Sequence, residues 1–331
     1  MDAAQVRKHR HFFVTGGSGY IGRNLLRELV RQGHRVSALT RSEGSAHMVQ
    51  KIGAEPVHGD MSDKQALSKG MQGADYLLHL AADTNHGRAT HQQEETNLNG
   101  TKTVFDTARQ AGIERALHLS SEAVLLTGKP LHNVDETAPI PDRFPGGYSR
   151  TKARAEQIAL AAAQTGFDVV VLRPRFVWGR DDTTALPQLI NAAKNGKLAW
   201  IDGGKYLTST THIDNVVHAM LLALEKGRTG EVYFVTDGAP LTFRDFISRL
   251  LATQGIDVPT KNVPRWLVAP IVRLGEFASK LTAGKLHGPM SWQEYATLGV
   301  EVTLNIEKAR KELGYAPVIS MDEGMAQLAV R

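Results

Sequence analysis

Thr15-Gly16-Gly17-Ser18-Gly19-Tyr20-Ile21-Gly22 is the stretch on which the fold turns. It follows the apolar run His11-Phe12-Phe13-Val14 and opens a helix-like segment, Ile21 to Gln32, that stops at Gly33. Gly16, Gly19 and Gly22 are spaced three and three. In a strand-turn-helix setting such glycines permit a tight turn, let the backbone approach a pyrophosphate, and let the helix pack closely on its strand. The helix N-terminus adds free N–H groups and positive partial charge, so the stretch predicts a dinucleotide cradle.

Further apolar runs lie at Arg35-Val36-Ser37-Ala38-Leu39, Asp75 to Leu80, Ala116 to Leu119 and Asp168 to Leu172. None alternates cleanly, as strands buried on both faces should not. Helix-like segments at Gln65 to Met71, Asn97 to Gln110 and Tyr148 to Gln164 fall between them. This alternation predicts an α/β protein, a Rossmann-type doubly wound parallel sheet with helices on both sides. After Arg173-Pro174 the rhythm breaks. The reading divides the chain into a dinucleotide-binding domain, 1–177, and a smaller, mostly helical substrate lobe, 178–331, with a return to the sheet around 206–236 at Val232-Tyr233-Phe234-Val235. Residues 263–283 form an apolar helix interrupted by Pro270, Arg273, Glu276 and Lys280, too broken to span a bilayer; packing within the lobe is the first reading, a substrate-covering helix the second and membrane-interface attachment the third.

The chain has 331 residues and 39 Lys+Arg against 34 Asp+Glu, a net charge of +5. The basic residues are scattered apart from Arg7-Lys8-His9-Arg10-His11, which argues against a nucleic-acid surface. The lack of cysteine removes thiolate catalysis and Cys-ligated metals and suits a cytoplasmic protein, and no apolar run near the start resembles a signal peptide. The histidines, especially His86 with His91 and His9 with His11, invite a metal, but no ligand pattern accompanies them, so none is expected.

Tyr148 and Lys152 stand four apart in an alanine-rich helical segment and so share a face. A phenol titrates near 10, but a neighbouring ammonium and a cationic nicotinamide favour its phenolate, so Tyr148 can pass a proton while hydride moves. Ser121, just past the Ala116 to Leu119 strand, would hydrogen-bond the substrate oxygen. Alone, a Tyr-x-x-x-Lys pair is an ordinary amphipathic feature. The second strand ends in Leu39-Thr40-Arg41-Ser42, where an acid would hold the ribose 2′-hydroxyl of NAD. Arg41 instead suits the 2′-phosphate of NADP, with Arg23 either a second cation or a solvated residue. Asp60 either accepts from the adenine amino group or begins the next helix.

With Leu80-Ala81-Ala82, Asn97-Leu98-Asn99-Gly100-Thr101, Ser120-Ser121, Arg173-Pro174 and His212-Ile213-Asp214-Asn215-Val216 in the same order, the chain resembles the extended short-chain dehydrogenase/reductase family over nearly its whole length. The resemblance implies Ser121, Tyr148 and Lys152 as the catalytic set, Asn97 as a helper that steadies the helix or a relay water, and Lys152 also on the nicotinamide ribose. It implies a cofactor path along Gly16, Gly19, Tyr20, Ile21, Gly22, Arg41, Asp60, Met61, Leu80, Ala81, Ala82, Ser120, Tyr148, Lys152, Pro174 and Val177. Arg173 to Asp181 and Ala309 to Pro317 look most like the 3β-hydroxysteroid dehydrogenase and dihydroflavonol-reductase-like branch, in which homodimers are common. Two departures stand out: Glu122 follows Ser121, and Leu125-Leu126 replace the usual Tyr-Gly.

The expectation is therefore an NADP(H)-preferring oxidoreductase that interconverts a carbonyl and a secondary alcohol on a bulky, mainly apolar small molecule, steroid-like, flavonoid-like or an aryl/alkyl ketone. Phe144, Phe176, Trp178 and the 263–283 helix are expected around the pocket mouth; Arg175, Arg180 and Lys205 are the cations that would instead receive a phosphate. A nucleotide-sugar epimerase is the alternative, and a non-catalytic dinucleotide sensor the third reading. Ser121-Glu122-Ala123, where a sugar-nucleotide dehydratase would carry Thr-Asp-Glu, disfavours that reaction. Membrane contact is not expected.

Overall fold

The computed structural model describes residues 9–85, 90–282 and 288–329; His86, Arg7 and Lys8 lie outside them. Seven parallel strands form the central sheet: β1 His11–Thr15, β2 Arg35–Thr40, β3 Glu55–His58, β4 Tyr76–His79, β5 Arg115–Leu119, β6 Asp168–Pro174 and β7 Val232–Val235. Their spatial order is β7-β6-β5-β4-β1-β2-β3. The chain steps outward from β1 through β2 to β3, returns beside β1 as β4, and then proceeds the other way. That reversal opens a crevice at the carboxyl ends of β1 and β4, the place where open α/β sheets bind ligands.

The helices are α1 Tyr20–Arg31, α2 Glu43–Ile52, α3 Lys64–Met71, α4 Thr101–Gln110, α5 Gly147–Gln164, α6 Ala185–Lys194, α7 Ile213–Lys226, α8 Phe243–Ala252, α9 Arg265–Leu281 and α10 Trp292–Leu298, of which α1, α2 and α7 cover one face of this sheet and α3, α4 and α5 the other. Leu25, Leu26 and Leu29 of α1 pack with Val216, Met220 and Ala223 of α7 on one side of the sheet. On the other, Leu67, Val104 and Ala159 of α3, α4 and α5 pack on Phe13, Leu77, Ala116 and Val169. The strands other than β3 therefore bury both of their faces, which is why they do not alternate, and each such side chain contributes about 1.5–3 kcal/mol; β3, at the edge of the sheet, is only partly buried.

Beyond β6 the chain builds a separate core of Trp178, Leu186, Leu189, Trp200, Phe243, Phe246 and Leu250. A second sheet of four short strands runs in the order Leu241–Thr242, Leu207–Thr208, Val302–Leu304, Leu131–Val134, tying the segment after Ser121 to the C-terminal part of the chain. The sequence did not announce it, because strands of two to four residues carry no usable periodicity.

Two expectations fail here. The helix at 263–283 does not bury its apolar face: α9 turns Val272 inward but leaves Trp266, Leu274, Phe277 and Leu281 more than 60% exposed. Trp178 is not at a pocket mouth. It lies in the second core, edge-on to His212 and Phe246, with its Nε1 donating to Asp237 Oδ2 at 2.7 Å. Among the described residues no helix is long and apolar enough to cross a membrane.

Candidate active site

The carboxyl edge of the sheet gathers Thr15, Thr40, Leu80, Ser120 and Pro174 from five strands distant in sequence. Between β1 and α1 the glycine turn is pressed against the strand exits. A Cβ on Gly16, at φ 75°, would sit 2.7 Å from Ala81 N, and one on Gly22 would sit 2.1 Å from Gly16 O. The first turn of α1 has no side-chain cap and no acid of its own. Those unclaimed N–H groups and the closeness of the turn fit a dinucleotide pyrophosphate. Tyr20 is buried at the same helix start, where its hydroxyl has no partner and burial raises its pKa.

A buried hydrogen-bond chain fixes the turn. Ala81 N–H donates to Thr15 Oγ1 at 3.3 Å, Thr15 Oγ1 lies 2.7 Å from His79 Nδ1, His79 Nε2 lies 3.0 Å from Thr101 Oγ1, and Thr101 donates to Asn97 O at 2.7 Å. Because Thr101 spends its proton on Asn97, the His79 proton is on Nε2 and Thr15 donates to Nδ1. Burial pushes the His79 pKa down to about 3, and His118, stacked on it at 5.3 Å, is lowered by the same cause. Both are neutral packing groups.

Asn97 sits in a π-helical turn, Glu95–Gly100, a feature often found at functional sites. Its Oδ1 accepts from Asp83 N at 2.7 Å, and its Nδ2 donates to Thr151 Oγ1 and Asp83 O, both at 3.0 Å. The amide thus straps α5 to the loop after β4.

Helix α5 presents Tyr148, Lys152 and Glu156 at i, i+4 and i+8 on one face. The helix lacks a cap of its own; Gln293 of α10 supplies one, its Oε1 accepting from Ser149 N at 3.2 Å. Tyr148 hydrogen-bonds Ser121, and burial together with the Glu122 carboxylate pushes the phenol up to about 12. Lys152 is buried, donates to Leu119 O at 2.6 Å, and is pushed down to about 8 by burial, with Glu156 pulling the other way. Beneath it Glu156 accepts two bonds from Arg173, at 2.8 and 2.5 Å, and one from Ser120 Oγ at 2.6 Å. The Glu156–Arg173 pair was missed in the sequence, although Glu156 continues the spacing of Tyr148 and Lys152.

The remaining sequence candidates are distributed as follows. Ser120 lies on this edge with its hydroxyl given to Glu156. Ile21 and Ala82 are half-buried at the turn and strand exit. Met61 is buried against Gly100. Pro174 ends β6, and Val177 pairs with Thr211. Arg41 is exposed at the end of β2, close enough to Asp60 to help hold its carboxyl below the usual range, though Ser62 does most of that. Asp60 Oδ1 accepts from Ser62 N at 2.8 Å, so it opens the turn before α3. Arg23 donates to Asp181 O at 3.0 Å. Of the three cations considered for a phosphate, Arg175 is buried on Glu122 and Arg180 is bound to Asp214 and Asn24; Lys205 is exposed. Phe144 is half-buried, and Phe176 packs edge-on against Phe246. Among the described residues no group of three or more potential ligands is placed to hold a metal; His9 and His11 go to different partners, Gly33 O for the first and Ser37 and Gly73 for the second.

Residues 13–265 match the model of the 3-beta hydroxysteroid dehydrogenase/isomerase family. The chain is 48% identical to 4-hydroxy-2-methyl-3-oxo-4-farnesyl-3,4-dihydroquinoline-1-oxide ketoreductase of Stigmatella aurantiaca, covering 96% of this chain and 95% of that one. It is 32% identical to 2-alkyl-3-oxoalkanoate reductase of Stenotrophomonas maltophilia, over 95% and 97%. Among solved structures it is similar to a dTDP-glucose 4,6-dehydratase of Streptomyces venezuelae with NAD bound, at a TM-score of 0.76, 25% identity and coverage of 96% and 95%. The glycine turn, the Tyr148–Lys152 face and this match over most of the chain lead to one conclusion: the protein belongs to the 3-beta hydroxysteroid dehydrogenase/isomerase family of extended short-chain dehydrogenases/reductases and is an NAD(P)-dependent oxidoreductase.

Proposed function

We propose that the protein is an NADP(H)-preferring reductase that converts a ketone on a bulky, largely apolar small molecule into a secondary alcohol, with Tyr148 as the acid. The observation that carries this reading is the Ser121–Tyr148 hydrogen bond, between two half-buried side chains, one helical turn from Lys152. A phenol held up near 12 is protonated across the neutral range and ready to give a proton to a carbonyl oxygen as hydride arrives at its carbon. The nicotinamide, when bound, supplies that hydride. Lys152, pushed down to about 8 but still largely charged at pH 7, stabilises the phenolate left behind and would bind the cofactor ribose. Arg41, in the place where NAD-specific relatives of this fold use an acid, would pair with a 2′-phosphate.

The substrate class draws support from two relatives whose names specify a farnesyl quinoline and an alkyl oxoalkanoate. It draws further support from Arg175 and Arg180 being tied to Glu122 and Asp214, where they are poorly free to receive a sugar-nucleotide diphosphate. The test is turnover on matched panels of apolar ketones, their alcohols and nucleotide sugars with each cofactor, read as net change in cofactor absorbance. Reduction of apolar ketones with NADPH is expected; activity confined to nucleotide sugars would reverse the reading in favour of an epimerase.

A further inference from the structure

Immediately after Ser121 the chain places an acid whose side chain is buried. Glu122 is 4% exposed, and a carboxylate so removed from water needs a partner. Arg175 provides it: Nη1 donates to Glu122 Oε1 at 2.7 Å, while the rest of the guanidinium bonds Thr208 Oγ1 at 3.1 and 3.3 Å and Thr297 O at 3.0 Å. The guanidinium is saturated on its far side, so the pair cannot swing apart freely. Phe176, next in sequence, is held at φ 40°, a left-handed conformation that a bulky side chain adopts only when its surroundings impose it.

The second Glu122 oxygen, Oε2, lies 2.6 Å from Ser121 Oγ. An ionised carboxylate only accepts, so Ser121 must donate, and its one proton is thereby committed. Ala123 N–H donates to the same Oγ at 3.1 Å. Tyr148 also bonds Ser121; with the one serine proton given to Glu122, the phenol is left as the donor in that bond. Donation therefore runs from Tyr148 O–H to Ser121 Oγ and from Ser121 O–H to the Glu122 carboxylate, which accepts from Arg175 on its other oxygen.

We propose that Glu122, clamped by Arg175, is a positioning residue of this site: by taking the Ser121 proton it makes Ser121 an acceptor and presents Tyr148 as the donor. The proposal rests on the reading of Tyr148 as the acid of carbonyl reduction. Without the carboxylate, Ser121 is free to turn its proton onto the phenol oxygen and to stabilise the phenolate. The charged groups bearing on Tyr148 act in opposite senses. Glu122 opposes ionisation; Lys152 on the same helix and Arg175 behind Glu122 carry the charge that would favour it; Glu156 is paired with Arg173; His79 and His118 are uncharged. Glu122 acts on the phenol through space and also by way of Ser121, which bonds both.

The experiment is an ultraviolet titration of tyrosinate in the cofactor-free protein, with the Tyr148 signal isolated by subtracting Tyr148→Phe, alongside the pH profile of kcat/KM for ketone reduction. In Glu122→Gln the Tyr148 midpoint and the alkaline limb of reduction should both fall by about one pH unit, with KM little changed. In a Ser121→Ala background the same substitution should move the midpoint by less than about a third as much. Because stripping one partner from a buried ion pair can prevent folding, Glu122→Gln with Arg175→Met replaces the pair by neutral groups and should still move the midpoint downward, by less than Glu122→Gln alone because the Arg175 charge is lost too. An unmoved midpoint in Glu122→Gln and in the double variant overturns the proposal, as does a displacement undiminished by Ser121→Ala. The titration needs no turnover, so a wild type that reduces no ketone would refute the proposed function while leaving this assignment readable.

Discussion

Acidification from pH 7 to pH 5 should destabilise this protein through its buried histidines, and His79 allows the size to be worked out. Its imidazole is neutral in the fold, held down to about 3 by burial, whereas in the unfolded chain it titrates near 6.5. Between those values the unfolded state binds the extra proton. Stability is therefore fully present above about 6.5 and is lost as the pH falls toward the folded value. At pH 5 the unfolded imidazole is almost fully protonated and the folded one is not, which costs about 2 kcal/mol relative to pH 7 for this one residue. His118 shifts in the same direction from the same cause and adds to the slope. It also offers a clean perturbation, since neither of its ring nitrogens has a hydrogen-bond partner. His118→Leu should lose no bond at neutral pH and should flatten the acid slope. Urea unfolding at a series of pH values between 7 and 5 reads both effects. A wild-type stability that is level over this range, or a His118→Leu curve as steep as wild type, would refute the reasoning.

Tyr148→Phe keeps the ring in place and removes the proton, so ketone reduction should fall by about 10²–10⁴-fold while cofactor affinity is retained, as measured by turnover and by fluorescence titration. Gly22→Ala, which at an ordinary helical position would stabilise by about 1 kcal/mol, should here destabilise and abolish tight cofactor binding, because its Cβ would meet Gly16 O at 2.1 Å; thermal melts with and without cofactor give the sign. Arg41→Ala should weaken NADP(H) by about tenfold or more and leave NAD(H) within about twofold, read by titrating each cofactor.

The sheet and the glycine turn were legible because their signals are local. A strand buried on both faces, a three-residue glycine spacing and a helix stop at Gly33 each sit within one short window. Tyr148 and Lys152 were legible for the same reason, and Glu156 would have been, had the four-residue period been followed one step further. What stayed hidden depends on segments that meet only in the fold. Glu122 and Arg175 lie 53 residues apart, and nothing local marks them as partners. Trp178 reads as a pocket aromatic until His212, Asp237 and Phe246 close over it from later elements. On α9 the apolar residues that suggested packing are present, but Trp266, Leu274, Phe277 and Leu281 point outward.

The cap on α5 has a consequence for anyone who would treat the cofactor half as a part to be moved between proteins. The N–H it satisfies belongs to the residue after Tyr148, and the oxygen that satisfies it comes from Gln293, 144 positions further along. A chimera that keeps the first 180 residues and borrows another protein's remainder would retain the glycine turn and its grip on a dinucleotide. It would lose the brace that aims the phenol. Swapping the distal part to change substrate choice thus alters the chemistry as well, unless the graft carries a side-chain carbonyl to the same spot.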